Sequence, residues 1–597
     1  MQFREDQGMN ISYEDINQIL ASGIGSDDVE KLRNYLIGVY EETPFAYLLL
    51  IGDLDTIPLP YLSAEPGAYQ ETASDFYYSD LTSNFDSDND GILGEFSIDG
   101  VIQDGGMDFT PETFVGRIPF TDSNLLGTIL DRIISYEDDN GTWKDDSLFP
   151  MSYLNYGQEN FSEYPISNYA ATGKYLEDTV LRDYDVTAMY EEAGVVPSSP
   201  QFPSDIPVTY DNFVNEMNSN DYGFINWAGH GSPVSSIRTV WYEDINGNNI
   251  PESGSELGGE TLVSKDMFEP LTNPTGAVFF CSSCYNGKLD HYELSVGETL
   301  IRDKAVANIA ATRTSWYKVG WQNPGWGGLQ SYNTHFVEYL FANEYSVGKS
   351  LGLANFLHTN FYLFGDPIDS GGIIHPELKN VYTHLLFGDP AIRYQPTGPL
   401  VDGDILVLDK SLSQRGITLV NALNDVANFN VIFSNKLVPA DLDYSRYEAI
   451  FALRNGDDTG EILLNWEVDV LNNYYNNGGK MFLEAEYFNQ LQVSSDFSIT
   501  VENEVVNIDP TFTPINGLEG TWDYINEFTS IYPISCDGTA LLTQENSSGT
   551  INTLFHLEDD EHNVFISNID IIGFLGGGEL SGFTSLLNIM NITQPVD

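Results

Sequence analysis

Two side chains able to do covalent chemistry each stand at the end of an apolar run. Cys284 closes GAVFFCSSC and His230 closes GFINWAGH. A thiol is mostly protonated and weak at neutral pH until a nearby imidazole takes its proton or stabilises the thiolate. Delivered to one sheet edge, the two side chains are the minimum equipment of a cysteine hydrolase. Gly229, Gly231 and Ser232 flank His230, so the chain can turn sharply there. A glycine beside such a histidine also lets a backbone N–H point into the site, where it can stabilise an oxyanion. Asn286-Gly287 after Cys284 signals a turn. Cys281 lies three residues before Cys284 and creates a C-x-x-C, which admits a thiol–disulfide oxidoreductase as a rival chemistry. That reading leaves His230 without a task, and an inert buried thiol is the expectation for Cys281. Zinc would need a second ligand pair, which Cys536 alone does not supply.

Both residues need a sheet to hold them. Strand-like runs alternate with helical spacing along the first 390 or so residues, the signature of a largely parallel α/β sheet with crossover helices. Helices are expected over 29–42, 122–137, 167–180 and 210–218. Strands are expected at AYLLLIGD, FVGRIP, MSYLNYG (151–157), GFINWAG, GAVFFCS and AVANIAATR. The pattern breaks into Pro, Gly and Asp over 391–404. A second, open-sheet α/β domain then begins, with strands DILVLD, NVIFS, YEAIFAL and KMFLEAE and helices over 416–427 and 463–476. The expected division is an N-terminal α/β subdomain (1–145), a catalytic subdomain (146–398) and an accessory domain (404–597). In the accessory domain Glu484 and Glu486 follow a strand, where open sheets bind ligands. GFLGGGE (573–579) lacks the lysine and helix of a phosphate loop.

The formal net charge of −65 argues against nucleic acid or an anionic membrane as a partner. It suits an extracellular or high-salt surface with a taste for calcium. No apolar run reaches the roughly eighteen residues of a membrane span, and MQFREDQGMN has no apolar core of a signal peptide. Three cysteines build no disulfide framework. Glycosylation sequons stand at Asn10, Asn140, Asn160, Asn546 and Asn591. In DSDNDG, Asp86, Asp88 and Asp90 alternate before Gly91, the spacing that wraps oxygens around calcium. Ser97 occupies the place of the EF-hand's closing glutamate, for which Glu95 is a substitute. A second loop, DINGNN, offers Asp244, Asn246 and Asn248 between the His230 and Cys284 runs. Calcium there would stiffen loops beside the site; the bland alternative is acidic surface turns. A calcium-stabilised, non-catalytic binding or adhesion protein is a further alternative class.

The blocks YLLLIGDLDTIP, SDFYYSDLTSNFDSDNDGILGEF, PETFVGRIPF, NWAGHGS, CYNGKL, VANIAATRTSW and HLLFGDPAIR occur in that order. Through them the chain resembles the gingipain-type cysteine peptidases, relatives of caspases and legumain in the caspase–haemoglobinase fold. The resemblance covers most of residues 1–398. It implies an extracellular endopeptidase acting on proteins or peptides, with a caspase-like sheet. Cys284, directly before the x-Asn-Gly turn, is then the nucleophile and His230 the acid–base. The backbone N–H groups of Gly231 and Cys284 form the oxyanion hole. The family carries an acid near the end of the 151–157 strand to orient the histidine; here that place holds Asn155, with Gln158 and Glu159 just beyond. Trp316 matches a tryptophan that walls the primary pocket. Glu163 is the acid nearest to where arginine-selective members carry an aspartate at the pocket base, which leads us to expect a basic residue before the cleaved bond. The family pattern also implies a signal and pro-region upstream of REDQGMNISYEDI. Residues 404–597 resemble flavodoxin- or amidotransferase-like accessory domains and read as a binding or spacing module.

Overall fold

Apolar runs too continuous for a one-sided strand become the inner strands of an eight-stranded sheet. The computed structural model describes residues 2–7, 9–64, 71–95, 104, 107, 109–155, 167–182, 184–191, 202–248, 255–342, 345–362, 376–394, 404–409, 419, 422–423, 431–435, 447–453, 465–484, 491, 500–501, 506–507, 513–516, 518, 530–531, 534–536, 538–546, 549–558, 563–567, 581–590 and 592. The chain divides into two units, Met1–Gly398 and Pro399–Asp597.

In the first unit the strands of the two larger sheets, in chain order, are β1 (Tyr47–Ile51), β2 (Phe114–Ile118), β3 (Asp146–Met151), β4 (Asp185–Tyr190) and β5 (Phe224–Ala228). They continue with β6 (His230–Ser232), β7 (Ser235–Trp241), β8 (Leu257–Ser264), β9 (Val278–Ser282), β10 (Ala307–Ala311) and β11 (His384–Gly388). The main sheet runs β1-β2-β11-β10-β9-β5-β3-β4. All its pairings are parallel except β10 with β11. Every residue of β5, β9, β10 and β11 is buried, as expected of strands covered by helices on both faces. Strands β6, β7 and β8 form a separate antiparallel sheet that grows directly out of β5.

Helices start where an acceptor side chain can take the orphan amides of a first turn. Asp27 caps α1 (Asp28–Glu42), Asp122 caps α2 (Ser123–Asp138), and Thr209 caps Tyr210–Ser219, numbered α4 after α3 (Ala170–Asp178). Ser295 and Glu298 make a reciprocal capping box at α5 (Val296–Asp303). Then α6 (Gly328–Val337), α7 (Val347–Tyr362) and α8 (Pro376–Thr383) pack on one another beside the sheet.

One expected strand falls elsewhere. The strand placed over 151–157 is β3, which ends at Met151, while Tyr153–Asn155 is a separate short strand pairing with Ser167–Asn168. Pro150 disguises β3 in the sequence. The structure tolerates it because β3 pairs with β5 at Ser147, Leu148 and Met151 but not at Pro150.

The second unit contains β12 (Asp404–Asp409), β13 (Val431–Asn435), β14 (Tyr447–Leu453), β15 (Lys480–Glu484), β16 (Thr513–Pro514), β17 (Thr539–Asn546), β18 (Gly549–Glu558) and β19 (Asn563–Ser567). Its sheet runs β13-β12-β14-β15-β19-β18-β17-β16. The first five strands are parallel in a flavodoxin-like order and the last three extend the edge antiparallel. Alternate residues of β12 feed opposite faces. Ile405 and Val407 pack toward α10 (Ser581–Ile589), and Leu406 and Leu408 toward α9 (Asn465–Asn476). The antiparallel edge is the part that the expectation of a plain open sheet omitted. Glu484 is buried at the end of β15; Glu486 and 573–579 lie outside the described residues.

Candidate active site

Parallel β3, β5, β9 and β10 present their carboxyl ends at one edge of the sheet, and all four exits carry a residue of interest. Gly229 and His230 follow β5, Ser283 and Cys284 follow β9, Ser315 and Trp316 follow β10, and Leu154 follows β3. Outer ends of parallel strands are where open α/β sheets place ligands.

The β5 and β9 exits meet main chain to main chain at Gly231 and Cys284. A Cβ at Gly231 would sit 2.6 Å from the Cys284 nitrogen and 2.9 Å from its carbonyl carbon, with the carbonyl oxygen closer still. Only glycine allows that approach. Tyr285, next in the chain, has φ of 59°, a left-handed conformation uncommon outside glycine and asparagine. It is pinned by its N–H to the Arg313 carbonyl at 3.0 Å and by Thr314 Oγ1 to its hydroxyl at 3.0 Å.

Asn286 explains the Asn-Gly after the thiol. Its fully buried carboxamide donates to the carbonyls of Ser232 (2.8 Å) and Ser235 (3.2 Å) and accepts from Ser236 Oγ (2.7 Å). The thiol turn is thereby bolted to the hairpin that carries His230. Ser283 Oγ adds a bond to the Gly229 carbonyl at 2.9 Å. At Gly287 a side chain would meet the Ala310 carbonyl oxygen at 2.6 Å.

Cys284 Sγ donates to the Ser315 carbonyl at 3.4 Å, and Ser315 Oγ reaches the sulfur at 3.8 Å. Burial pushes the Cys284 thiol up; the hydrogen-bonding groups of Ser315 and the backbone amides of Cys284 and Gly231 oppose this. His230 is solvent-exposed, and its Nε2 faces the Leu154 carbonyl oxygen at 2.9 Å. Neither Ser315 nor Leu154 could be singled out from sequence, because both act through main-chain carbonyls that any residue type supplies. Asn155 ends the short strand beyond Leu154. Its side chain, together with Gln158, Glu159 and Glu163, lies outside the described residues. Trp316 is partly buried beside Ser315.

Cys281 lies where an inert thiol is expected. It is fully buried in β9, between Trp227 and Ala310 on the neighbouring strands, and burial raises its thiol well above the usual range. All three cysteines are free thiols.

The first acidic loop gathers more carboxylates than its spacing indicates. Ligand oxygens of Asp86, Asp88 and Asp104 converge, as do those of Asp88, Asp90 and Glu95. Asp104, absent from the motif, is fully buried and accepts the amides of Ser87 and Glu95 at 2.8 Å each. Burial, then repulsion among these carboxylates, holds Glu95 above the ordinary range, and burial does the same for Asp104. Among the described residues none of the five carboxylates forms an ion pair. An all-oxygen, uncompensated cluster fits a hard divalent cation. In the second loop the Asn248 amide binds Asp244 Oδ1 (3.1 Å) and Asn246 Oδ1 (3.0 Å) in an exposed turn.

An α/β protein holding a thiol and an imidazole at one sheet edge has the arrangement of a cysteine-type hydrolase. The chain belongs to peptidase family C25, whose model matches residues 1–395, and it is a cysteine-type peptidase acting on proteins or peptides. Among solved structures it is similar to the arginine-specific cysteine proteinase gingipain R, at 19% identity over 63% of this chain and 70% of that one, TM-score 0.41. It is also similar to the complex of RgpB pro- and mature domains from Porphyromonas gingivalis, at 18% identity over 65% and 74%, TM-score 0.44. No curated protein matches the chain. Among the described residues no helix is long and apolar enough to cross a membrane.

Proposed function

We propose that the chain is an extracellular cysteine endopeptidase in which Cys284 is the nucleophile and His230 the general acid–base. The observation that carries this reading is the side-chain-free apposition of Gly231 and Cys284. It brings two strand exits together with their amides beside the thiol. A carbonyl can only accept, so Nε2 opposite the Leu154 oxygen carries the imidazole proton and Nδ1 keeps the lone pair. Nδ1 then takes the Cys284 proton as the sulfur attacks the scissile carbonyl carbon. The C=O electron pair moves to oxygen, where the Gly231 and Cys284 amides donate to it. Collapse breaks the C–N bond and His230 protonates the leaving amine. Water, deprotonated by His230, then hydrolyses the thioester and the sulfur regains its proton. Because burial keeps the resting thiol neutral, proton transfer accompanies attack.

Trp316 is assigned the wall of the primary pocket and Glu163 its floor, with Asn155 as the residue orienting His230. A basic residue before the cleaved bond suits both an acidic floor and a chain of net charge −65. Calcium is proposed as a structural ion of Asp86, Asp88, Asp90, Glu95 and, newly, Asp104, and of Asp244, Asn246 and Asn248 in the second loop. It would supply charge neutralisation there and no chemistry.

The test is cleavage of fluorescein-labelled casein together with iodoacetamide labelling, in a Cys536→Ser background. Cys284→Ala should abolish both and Cys281→Ala neither. Retention of casein cleavage by Cys284→Ala would overturn the assignment. Cleavage-site profiling on a peptide library tests the basic preference, which fails if the residue before the cut is as often neutral as basic.

A further inference from the structure

Beyond β10 the chain runs on through Thr312 to Lys318, carrying Ser315 and Trp316, and among the described residues no strand pairs with 314–318. At Trp316 and Lys318 the main-chain groups are instead taken by side chains of two helices. Asn380, in α8, accepts the Trp316 N–H on Oδ1 at 2.7 Å and donates Nδ2 to the Trp316 carbonyl at 2.9 Å. Gln330, in α6, accepts the Lys318 N–H on Oε1 at 2.8 Å and donates Nε2 to the Lys318 carbonyl at 3.0 Å. Each carboxamide embraces both polar groups of one residue, and the two residues are two apart. That is the alternate-residue pattern of a strand edge. Thr383 begins the same ladder, its carbonyl accepting the Thr312 N–H at 2.8 Å and its Oγ1 the Arg313 N–H at 2.7 Å. The Leu329 N–H adds a bond to the Trp316 carbonyl at 2.7 Å.

Asn380 is fully buried and Gln330 nearly so. A buried carboxamide is costly unless its donor and acceptor are both met. Here both are met, and by the loop. The residue directly before Trp316 is Ser315, whose carbonyl takes the Cys284 thiol.

We propose that Asn380 and Gln330 are positioning residues of the peptidase: their carboxamides serve segment 314–318 as a strand partner would and fix the Ser315 carbonyl and Trp316 relative to the Cys284 sulfur. The effect on catalysis rests on Cys284 being the nucleophile. A displacement of about 1 Å at reacting atoms can cost on the order of a hundredfold in rate, so the clamp acts on kcat/KM while touching neither substrate nor thiol.

Asn380→Asp gives a signature that a purely structural residue would not. The ionised carboxylate keeps an acceptor for the Trp316 N–H but sets a second oxygen against the Trp316 carbonyl. Once protonated it regains a donor. In the full chain, with labelled casein as probe, Asn380→Asp should lose roughly tenfold to a hundredfold in kcat/KM at pH 8. It should recover toward the parent as the pH falls through the range of a buried carboxyl. Gln330→Glu should behave likewise with a smaller loss. Asn333→Asp is the control. Asn333 is also buried in α6, but its amide pairs with Asn226 in β5 (2.8 Å), away from the loop. It should lower the melting temperature without reshaping the pH profile. Asn380→Asp with the parent's kcat/KM and profile would overturn the proposal, as would recovery at low pH equally in Asn333→Asp. Failure of Cys284→Ala to abolish cleavage overturns the nucleophile assignment instead, and the two outcomes are separate.

Discussion

Gly231→Ala puts the site's closest contact under direct strain. The added methyl would lie 2.6 Å from the Cys284 nitrogen and 2.9 Å from its carbonyl carbon, whereas ordinary van der Waals contact begins at 3.4 Å. Opening the nearer gap to ordinary contact takes 0.8 Å, and the closer carbonyl oxygen asks for more. The obstacles are all main-chain atoms, with no flexible side-chain end to yield. The His230 hairpin must therefore back away from the thiol turn by about 1 Å, the scale at which reacting groups lose on the order of a hundredfold in rate. Displacing the Gly231 amide adds the loss of one oxyanion donor, worth about 100- to 1,000-fold in kcat. Together kcat/KM should fall by at least about a hundredfold. Asn286 still bolts the two loops together, so the fold should survive with a modestly lowered melting temperature. The assay is kcat/KM on labelled casein beside the iodoacetamide rate of Cys284, with circular dichroism to confirm folding. A Gly231→Ala protein that keeps its kcat/KM within threefold of the parent and melts at the parent's temperature would refute the reasoning.

Asn286→Ala strips three hydrogen bonds from a fully buried turn. It should cost about 3 kcal/mol, read as a lowered urea midpoint at unchanged m. In His230→Ala the Cys284 thiol loses its base but not its burial, so its alkylation rate should rise only at a pH above the ordinary cysteine range. Chelation should destabilise the first unit in a pH-dependent way. Glu95 and Asp104 are held above their ordinary range, first by burial, so the cation-free fold favours their protonated forms. Their contribution to stability is present below the ordinary carboxylate range and is lost as pH rises through the raised values. The melting-temperature difference between calcium and EDTA should be largest near neutral pH and shrink toward pH 4; no difference at neutral pH would remove calcium from this loop. Finally, Gly38→Ala and Gly127→Ala lie inside α1 and α2 with nothing within 4 Å of the new methyl. Each should stabilise by about 0.5–1 kcal/mol, measured by denaturant unfolding.

Much of the fold was legible because strand and helix leave periodic marks on a local stretch of chain. The buried runs of β5, β9 and β10 and the helices over 28–42 and 123–138 lie where their patterns put them, within a residue or two. β3 was not legible, since Pro150 contradicts a strand locally and is admitted only by which neighbour it faces. The antiparallel edge of the second unit was missed because β17 and β18 follow one another within two residues, which leaves no room for a crossover helix to announce them.

For the site, sequence alone determined which residues have the right chemistry and backbone freedom: the thiol, the imidazole, Gly231 beside it and the Asn-Gly turn. Those are properties of residue type and immediate neighbours. Only the tertiary structure decided that the β5 and β9 exits meet through Gly231 and Cys284, and that Asn286 joins them. It alone brought the carbonyls of Leu154 and Ser315 to the imidazole and the sulfur, and buried Asp104 among the carboxylates of the first acidic loop. It alone turned the carboxamides of Asn380 and Gln330 toward the segment behind the thiol. The reason is that a main-chain carbonyl has no sequence signature, and a contact across dozens of residues is set by the packing of whole elements.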